Sequence, residues 1–189
     1  MDDLCNPHGI LIFGAAGTGK TTLGGELARL LRFRHVDLDD YYWRWDTDIP
    51  YTIFRPWEEI FADLTREVEN DPKFVMSGSM GKGRRDFLAP WFCLAVFLTV
   101  STETRMERLR AREFANYGER ILEGGDMAEH TKNFLDEASK YDTGEPQRFA
   151  TRAQHEEWIK ELACPVLRVD GGAIAGNAKF IAEQYLKII

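Results

Sequence analysis

The segment Gly14-Ala15-Ala16-Gly17-Thr18-Gly19-Lys20-Thr21 constrains this chain more than any other stretch. It fits G-x-x-x-x-G-K-[ST], the spacing with which a loop wraps around a phosphate chain. The apolar run Ile10-Leu11-Ile12-Phe13 precedes it and reads as a buried strand. Thr22 to Phe33 follows and reads as a helix, with Leu23, Leu27, Leu30 and Leu31 on one side. The glycines allow a tight turn in which successive N–H groups face an anion, and the helix N-terminus adds partial positive charge. The pattern therefore assigns Gly14, Ala15, Ala16, Gly17, Thr18, Gly19, Lys20, Thr21 and Thr22 to nucleotide phosphates. Lys20 would reach the β- and γ-phosphates, and the Thr21 hydroxyl would ligate Mg²⁺. A glycine-rich turn that only links strand to helix is the competing reading, and it leaves the Lys20-Thr21 pair without a purpose.

The 189 residues suit one domain with a substantial core, and 44% hydrophobic with 29% charged residues is ordinary for a globular chain. A net charge of −7 argues against a nucleic-acid partner, while leaving room for a locally basic pocket. No stretch is apolar for long enough to span a membrane, and the acidic start Met1-Asp2-Asp3 lacks a signal-peptide pattern. Three scattered cysteines, Cys5, Cys93 and Cys164, fit reduced thiols; the expected location is cytoplasmic. The oligomeric state is left open.

Strand and helix patterns alternate along the chain. Strands are expected at 9–13, 34–37, 73–77, 94–100 and 165–169. Helices are expected at 20–33, 57–70, 102–117, near 127–139, at 151–162 and at 173–187, with a short helical piece near 85–88 and an irregular aromatic segment over 41–56. Such alternation predicts an α/β fold with a parallel sheet covered on both faces, in which ligands bind at the carboxyl ends of the strands. The second strand leads into Asp37-Leu38-Asp39-Asp40. A period of two puts Asp37 and Asp39 on one side if the strand continues that far, where they would hold Mg²⁺ and accept a hydroxyl proton; an acidic cap on the next turn is the alternative. The third strand runs into Ser77-Gly78-Ser79-Met80-Gly81 with no acid at its end, which counts against mechanical or regulatory ATPases. Lys82, Arg84 and Arg85 follow as a local basic patch, either an anion site or solvated charge. After the fourth strand, Arg105, Arg108 and Arg112 share one helix face, suited either to phosphate and base contacts or to solvent. The fifth strand ends in Asp170-Gly171-Gly172, a turn that either borders a base or simply bends.

Together these motifs resemble the P-loop kinases of nucleotides and small metabolites, among them the adenylate, cytidylate, shikimate and gluconate kinases. The resemblance implies a P-loop NTPase fold with a five-stranded parallel sheet in the order 2-3-1-4-5, a single domain over 1–189 and a helical lid inserted at 112–152. Ser77-Gly78-Ser79-Met80-Gly81 resembles the acceptor loop of shikimate kinases, which implies acceptor contacts from Gly78 and Ser79. Asp37-Leu38-Asp39 resembles their acidic pair, implying that Asp37 positions magnesium and Asp39 contacts the acceptor hydroxyl. Arg108-Leu109-Arg110-Ala111-Arg112 resembles the start of the adenylate kinase lid, implying that Arg108 stacks on adenine and Arg112 touches the transferring phosphate. Asp170-Gly171 is similar to the turn beside adenine. The aromatic segment Tyr41, Tyr42, Trp43, Trp45, Tyr51 and Phe54 matches no acceptor site of the family; it either stacks on a planar acceptor or covers the second long helix.

The expected function is ATP- and Mg²⁺-dependent phosphoryl transfer to a small molecule, a nucleoside monophosphate or a metabolite hydroxyl, with Lys20, Asp39 and Arg112 catalytic. A phosphorylated acceptor would use Arg55, Arg84 or Arg85, and Arg148 and Arg152 would enter on lid closure. A nucleotide-dependent switch without an acceptor is the alternative. A polynucleotide end kinase is disfavoured by the net charge.

Overall fold

The computed structural model describes residues 8–79, 85–144 and 150–189. Five strands form one parallel sheet: β1 Gly9–Phe13, β2 Arg34–Asp37, β3 Phe74–Ser77, β4 Phe92–Thr99 and β5 Val166–Asp170. Their spatial order is β2-β3-β1-β4-β5, as the resemblance implies. β1 lies at the centre, with Ile12 opposite Ser77 on one side and Val96 on the other.

Side-chain alternation along the strands builds two cores. Leu11 and Phe13 join Val36, Phe74, Met76, Ala95 and Phe97 on one face, covered by α3 (Trp57–Asn70) through Ile60 and Leu64 and by α7 (Arg152–Glu161) through Trp158. Ile10 and Ile12 join Val75, Leu94, Val96 and Leu98 on the other, covered by α1 (Lys20–Leu31) and α8 (Ile174–Tyr185). Strands so buried on both faces read as continuous apolar runs, which is why the periodicity located them.

Two helices begin where local chemistry provides caps. Ser101 accepts the Thr104 N–H at the start of α5 (Thr102–Tyr117), and Thr151 with Gln154 forms a capping box at α7. The segment 38–56 is more regular than its sequence suggests. Leu38–Tyr42 is a short helix, α2, capped by Asp37, and Trp43 then bridges Phe54 antiparallel. Beyond the short helix α4 (Arg85–Leu88) and β4, α5 leads into α6 (Ala128–Ser139), which packs on it through Ala138, Met106 and Leu109. Among the described residues, no helix is long and apolar enough to cross a membrane.

Trp158 locks α7 onto the sheet. It is 1% exposed, meets the Phe13 ring at 4.8 Å and carries the Arg85 guanidinium over its face at 5.5 Å. Trp158→Ala should lower unfolding free energy by about 3–5 kcal/mol in denaturant titrations, the range for removing a buried aromatic side chain.

Candidate active site

β1 opens directly into the loop 14–19. Gly14 has φ +149°, and a Cβ there would stand 2.2 Å from the Leu98 carbonyl oxygen of β4. Gly17, at φ +81°, would place a Cβ 2.7 Å from the Arg105 carbonyl oxygen. Only glycine allows the loop to press this closely on β4 and α5. No side chain caps α1 and its first turn holds no acid, so its N-terminal partial charge is unopposed. Thr18 Oγ1 donates to the Ala15 carbonyl at 2.9 Å, and Lys20 Nζ donates to the same oxygen at 2.8 Å. Burial strips water from that ammonium and lowers the Lys20 pKa to about 8, although the carboxylates of Asp39 and Asp37 pull it upward. An ammonium so short of hydration gains strongly from an arriving phosphate.

The two acids converge by a route other than strand alternation. β2 ends at Asp37, and the chain turns immediately into α2. Asp37 Oδ1 accepts the Asp39 N–H at 3.1 Å, so Asp37 does cap the turn. The same turn brings both carboxylates within electrostatic reach of Lys20. Asp39 is open to solvent yet lies deep among protein groups. Lost hydration raises its carboxyl pKa, the Asp37 charge raises it further, and Lys20, Trp43 and Arg112 oppose the rise. Among the described residues no cluster of three or more His, Cys, Asp or Glu forms a metal cage. Oxygen donors from Asp37 and Thr21 fit Mg²⁺ delivered with phosphates and water, which complete its shell.

The arginines of α5 divide. Arg105, expected to share a face with the other two for phosphate and base contacts or for solvent, is wholly buried. Its Nη1 donates to the Ala16 and Ala138 carbonyls, each at 3.3 Å, and its Nη2 meets Asp142 at 3.3 Å. Arginines at i, i+3 and i+7 share a face whether it points outward or inward, so spacing alone could not separate the two cases. Arg108 Nη1 donates to the Thr18 carbonyl at 3.4 Å, beside the loop. Arg112 is half-exposed, bonds Glu113 at 2.9 Å, and exerts its charge on Lys20 and Asp39.

The turn after β5 touches the same loop. Gly171 N donates to the Thr99 carbonyl at 2.8 Å, and a Cβ on Gly171 would lie 2.7 Å from the Thr18 carbonyl oxygen. Asp170 Oδ1 accepts the Gly172 N–H at 3.0 Å, which holds the turn. Arg108, Gly171 and Thr18 are thus neighbours.

Beyond β3, Gly78 packs against Leu38 so closely that a Cβ would come within 2.6 Å of the Leu38 Cβ. Ser79 Oγ lies 3.4 Å from His155 Nε2, and His155 Nδ1 lies 2.8 Å from the Tyr141 hydroxyl. His155 is buried between Phe13 and Phe97, and burial first, then the Lys20 and Arg85 charges, lowers its pKa to about 3. It is therefore neutral at ordinary pH. Sequence reasoning passed over it; the available signal was its placement three residues before Trp158, on the inward face of a helix with a capping box.

Two expected acceptor ligands are engaged elsewhere. Arg55 bonds Asp63 at 2.7 Å and the Tyr41 carbonyl at 3.3 Å, tying the aromatic segment to α3. Arg85 is buried on Trp158 and pairs with Glu161 at 3.5 Å. Arg152 is held by Asp142 at 2.5 Å. Arg84, Lys82, Arg148 and Met80-Gly81 lie outside the described residues.

A family model described as an AAA domain matches residues 10–132, from β1 into α6. The chain belongs to this P-loop family. Its relative "Uncharacterized protein YqaC" of Bacillus subtilis (strain 168) is 39% identical over 161 residues, 85% of this chain and 87% of that protein. Among solved structures, a putative kinase from Chloroflexus aurantiacus aligns with a TM-score of 0.57 at 16% identity, covering 97% of this chain and 98% of that one. Shikimate kinase from Acinetobacter baumannii, solved with shikimate, aligns at 0.56 and 17% identity, covering 97% and 96%. Shikimate kinase from Bacteroides thetaiotaomicron aligns at 0.53 and 20% identity, covering 93% and 97%. These likenesses establish the P-loop kinase fold.

The lowered Lys20 pKa has a measurable consequence. With its folded-state pKa near 8, the free protein has lost most of this proton at pH 9, and a bound polyphosphate restores it. Calorimetric titration of ATP with Mg²⁺ at pH 9, in buffers of different ionisation enthalpy, should show uptake of close to one proton at this site. The uptake should shrink toward pH 7, where Lys20 is already charged, and vanish in Lys20→Met.

Proposed function

We propose that this protein transfers the γ-phosphoryl group of ATP, bound with Mg²⁺, to a hydroxyl of a small molecule. The observation that carries this reading is the electrostatic coupling of Asp39 to Lys20 at the end of the loop after β1, with Arg112 in electrostatic reach of both. The loop amides and Lys20 hold the β- and γ-phosphates, Arg108 and the Gly171 turn flank the nucleotide, and Thr21 and Asp37 hold the cation. Bound Mg²⁺ supplies charge neutralisation between the phosphates. Asp39 orients the acceptor hydroxyl and takes its proton. The acceptor oxygen bonds to the γ-phosphorus as the bond from that phosphorus to the bridging oxygen breaks. ADP leaves with the electron pair, and the proton passes from Asp39 to water. Lys20 and Arg112 stabilise the charge that develops.

A nucleotide switch would need the loop and the cation but no base beside them, so Asp39 favours the transferase. Residues 112–152 act as the lid that excludes water during transfer. Gly118, Gly124 and Gly144 have positive φ and no atom beyond their chain neighbours within 4 Å of a notional Cβ, so bending there meets no obstacle, whereas a Cβ on Gly125 would stand 2.2 Å from the Arg120 carbonyl oxygen.

Lys20→Ala should abolish nearly all turnover and weaken Mg²⁺-ATP binding in calorimetry; no detectable binding by the unaltered protein at millimolar ATP would refute the reading. Asp39→Asn should keep the melting temperature within a few degrees and lower acceptor-dependent ATP consumption by roughly 10²-fold or more. Acceptor-independent hydrolysis alone would instead mark a switch. In hydrogen exchange, a bisubstrate analogue should protect the described part of 112–152 while β1 and β4 change little; unchanged exchange at saturation would remove the lid.

A further inference from the structure

Beyond Asp39 the chain folds into a hairpin-like loop. Trp43 bridges Phe54, Arg44 N donates to the Ile53 carbonyl at 2.9 Å, and Arg55 N donates to the Tyr42 carbonyl at 2.8 Å. The inner aromatics of this loop belong to the core: Tyr42 is buried, and its ring meets Phe54 at 5.2 Å. The outer ones do not. Tyr51 is 40% exposed and Trp45 53%. Their rings meet edge-on at 5.2 Å, and Trp43 meets Tyr51 edge-on at 5.9 Å. A hydrophobic cover would hide these rings from water, and this cluster leaves two of them in it.

Tyr51 also holds φ +60°, a left-handed conformation that bulky residues avoid. Backbone strain of this kind concentrates where a side chain is held for binding. The Tyr51 phenol is acted on by Asp39, Tyr117, Arg112 and Asp37, groups from α2, α5 and the end of β2. The ring therefore lies within electrostatic range of the carboxylate that would take the acceptor proton.

The charges here restrict what can approach. Asp37, Asp39 and Asp40 are consecutive or nearly so on the acceptor side, and the Asp37 charge bears on both of the others. The described arginines nearby are already neutralised: Arg44 by Asp46 at 2.7 Å, Arg55 by Asp63, and Arg85 by Glu161. Lys20 and Arg108 lie on the phosphate side, and Arg112 acts on both sides. A phosphate or carboxylate on the acceptor would meet the Asp39 and Asp40 carboxylates, while Arg112, whose charge bears on Tyr51, is itself paired with Glu113 at 2.9 Å.

Taking the phosphotransferase reading as its basis, we infer that the acceptor is an uncharged alcohol carrying a ring, stacked on Tyr51 with its hydroxyl directed to Asp39. Nucleosides, aromatic alcohols and cyclic sugars share this chemistry; nucleoside monophosphates and sugar acids do not. Lys82 and Arg84, outside the described residues, make the test of charge necessary.

The test uses matched pairs. Nucleosides, aromatic alcohols and cyclic sugars are each titrated into the full chain saturated with Mg²⁺-ADP, beside their phosphorylated or carboxylated counterparts. With Mg²⁺-ATP, ADP release and product mass are then followed for the same compounds. A neutral member should bind and be phosphorylated, and its anionic counterpart should do neither. Tyr51→Gly, which accepts the left-handed φ without strain, should raise the acceptor KM about tenfold or more, as expected for one lost stacking contact. It should leave Mg²⁺-ATP affinity unchanged, and Tyr51→Phe should behave like the unaltered protein. Turnover of anionic members in preference to neutral ones would overturn the inference and leave the phosphotransferase reading standing. So would an unchanged acceptor KM in Tyr51→Gly. No binding or turnover in either arm, with Mg²⁺-ATP still bound, would overturn both.

Discussion

The close seating of the loop 14–19 on its neighbours is the constraint on which the rest of the site depends. At Gly14 the backbone touches β4, and at Gly17 it touches α5, with no space for a methyl group between. The loop thus has a fixed position relative to both, and so do the groups they carry. Arg108 and Arg112 take their places from α5, and the Gly171 turn reaches Thr18 because β5 pairs with β4. Lys20 lies folded onto the Ala15 carbonyl, short of water. Its strained hydration is a direct product of the packing, and it makes an anion the natural complement of the loop.

Around that point the molecule sorts charge by side. Cations gather where β1 and β4 end, and carboxylates gather where β2 ends. Lys20 stands at the border and feels both. Parallel strands bring these groups together because all five open their carboxyl ends in one direction. His155 adds an uncharged polar group at the same border, kept neutral by Phe13, Phe97 and the nearby cations.

Much of this was legible in the amino-acid order. Apolar runs such as Ile10–Phe13 and Leu94–Leu98 mark strands buried on both faces, and the glycine spacing marks the loop, because each depends on local geometry alone. The short helix after Asp37 was hidden because Asp37-Leu38-Asp39-Asp40 suits a capped turn and a strand end equally well. The inward direction of Arg105 was hidden because helical spacing sets which residues share a face, and tertiary packing sets where that face points. Arg55 and Arg85 read as free cations until Asp63, Glu161 and Trp158, all distant in sequence or on other elements, met them. The left-handed backbone at Tyr51 leaves no sequence signature in a residue that usually avoids it.

The Arg105 guanidinium joins the carbonyl of Ala16 in the loop to the carbonyl of Ala138 at the end of α6 and to the carboxylate of Asp142. Asp142 in turn grips Arg152 at the start of α7. The loop, the end of α6 and Asp142 are thus tied through a single buried cation, while Trp158 holds α7 to the sheet. A displacement of the loop by a fraction of an ångström would be felt at the end of α6, the way a short crank turns a long arm. Lysine would offer its donors from a single nitrogen in place of two set in a planar fork, so this spread of contacts is characteristic of the guanidinium.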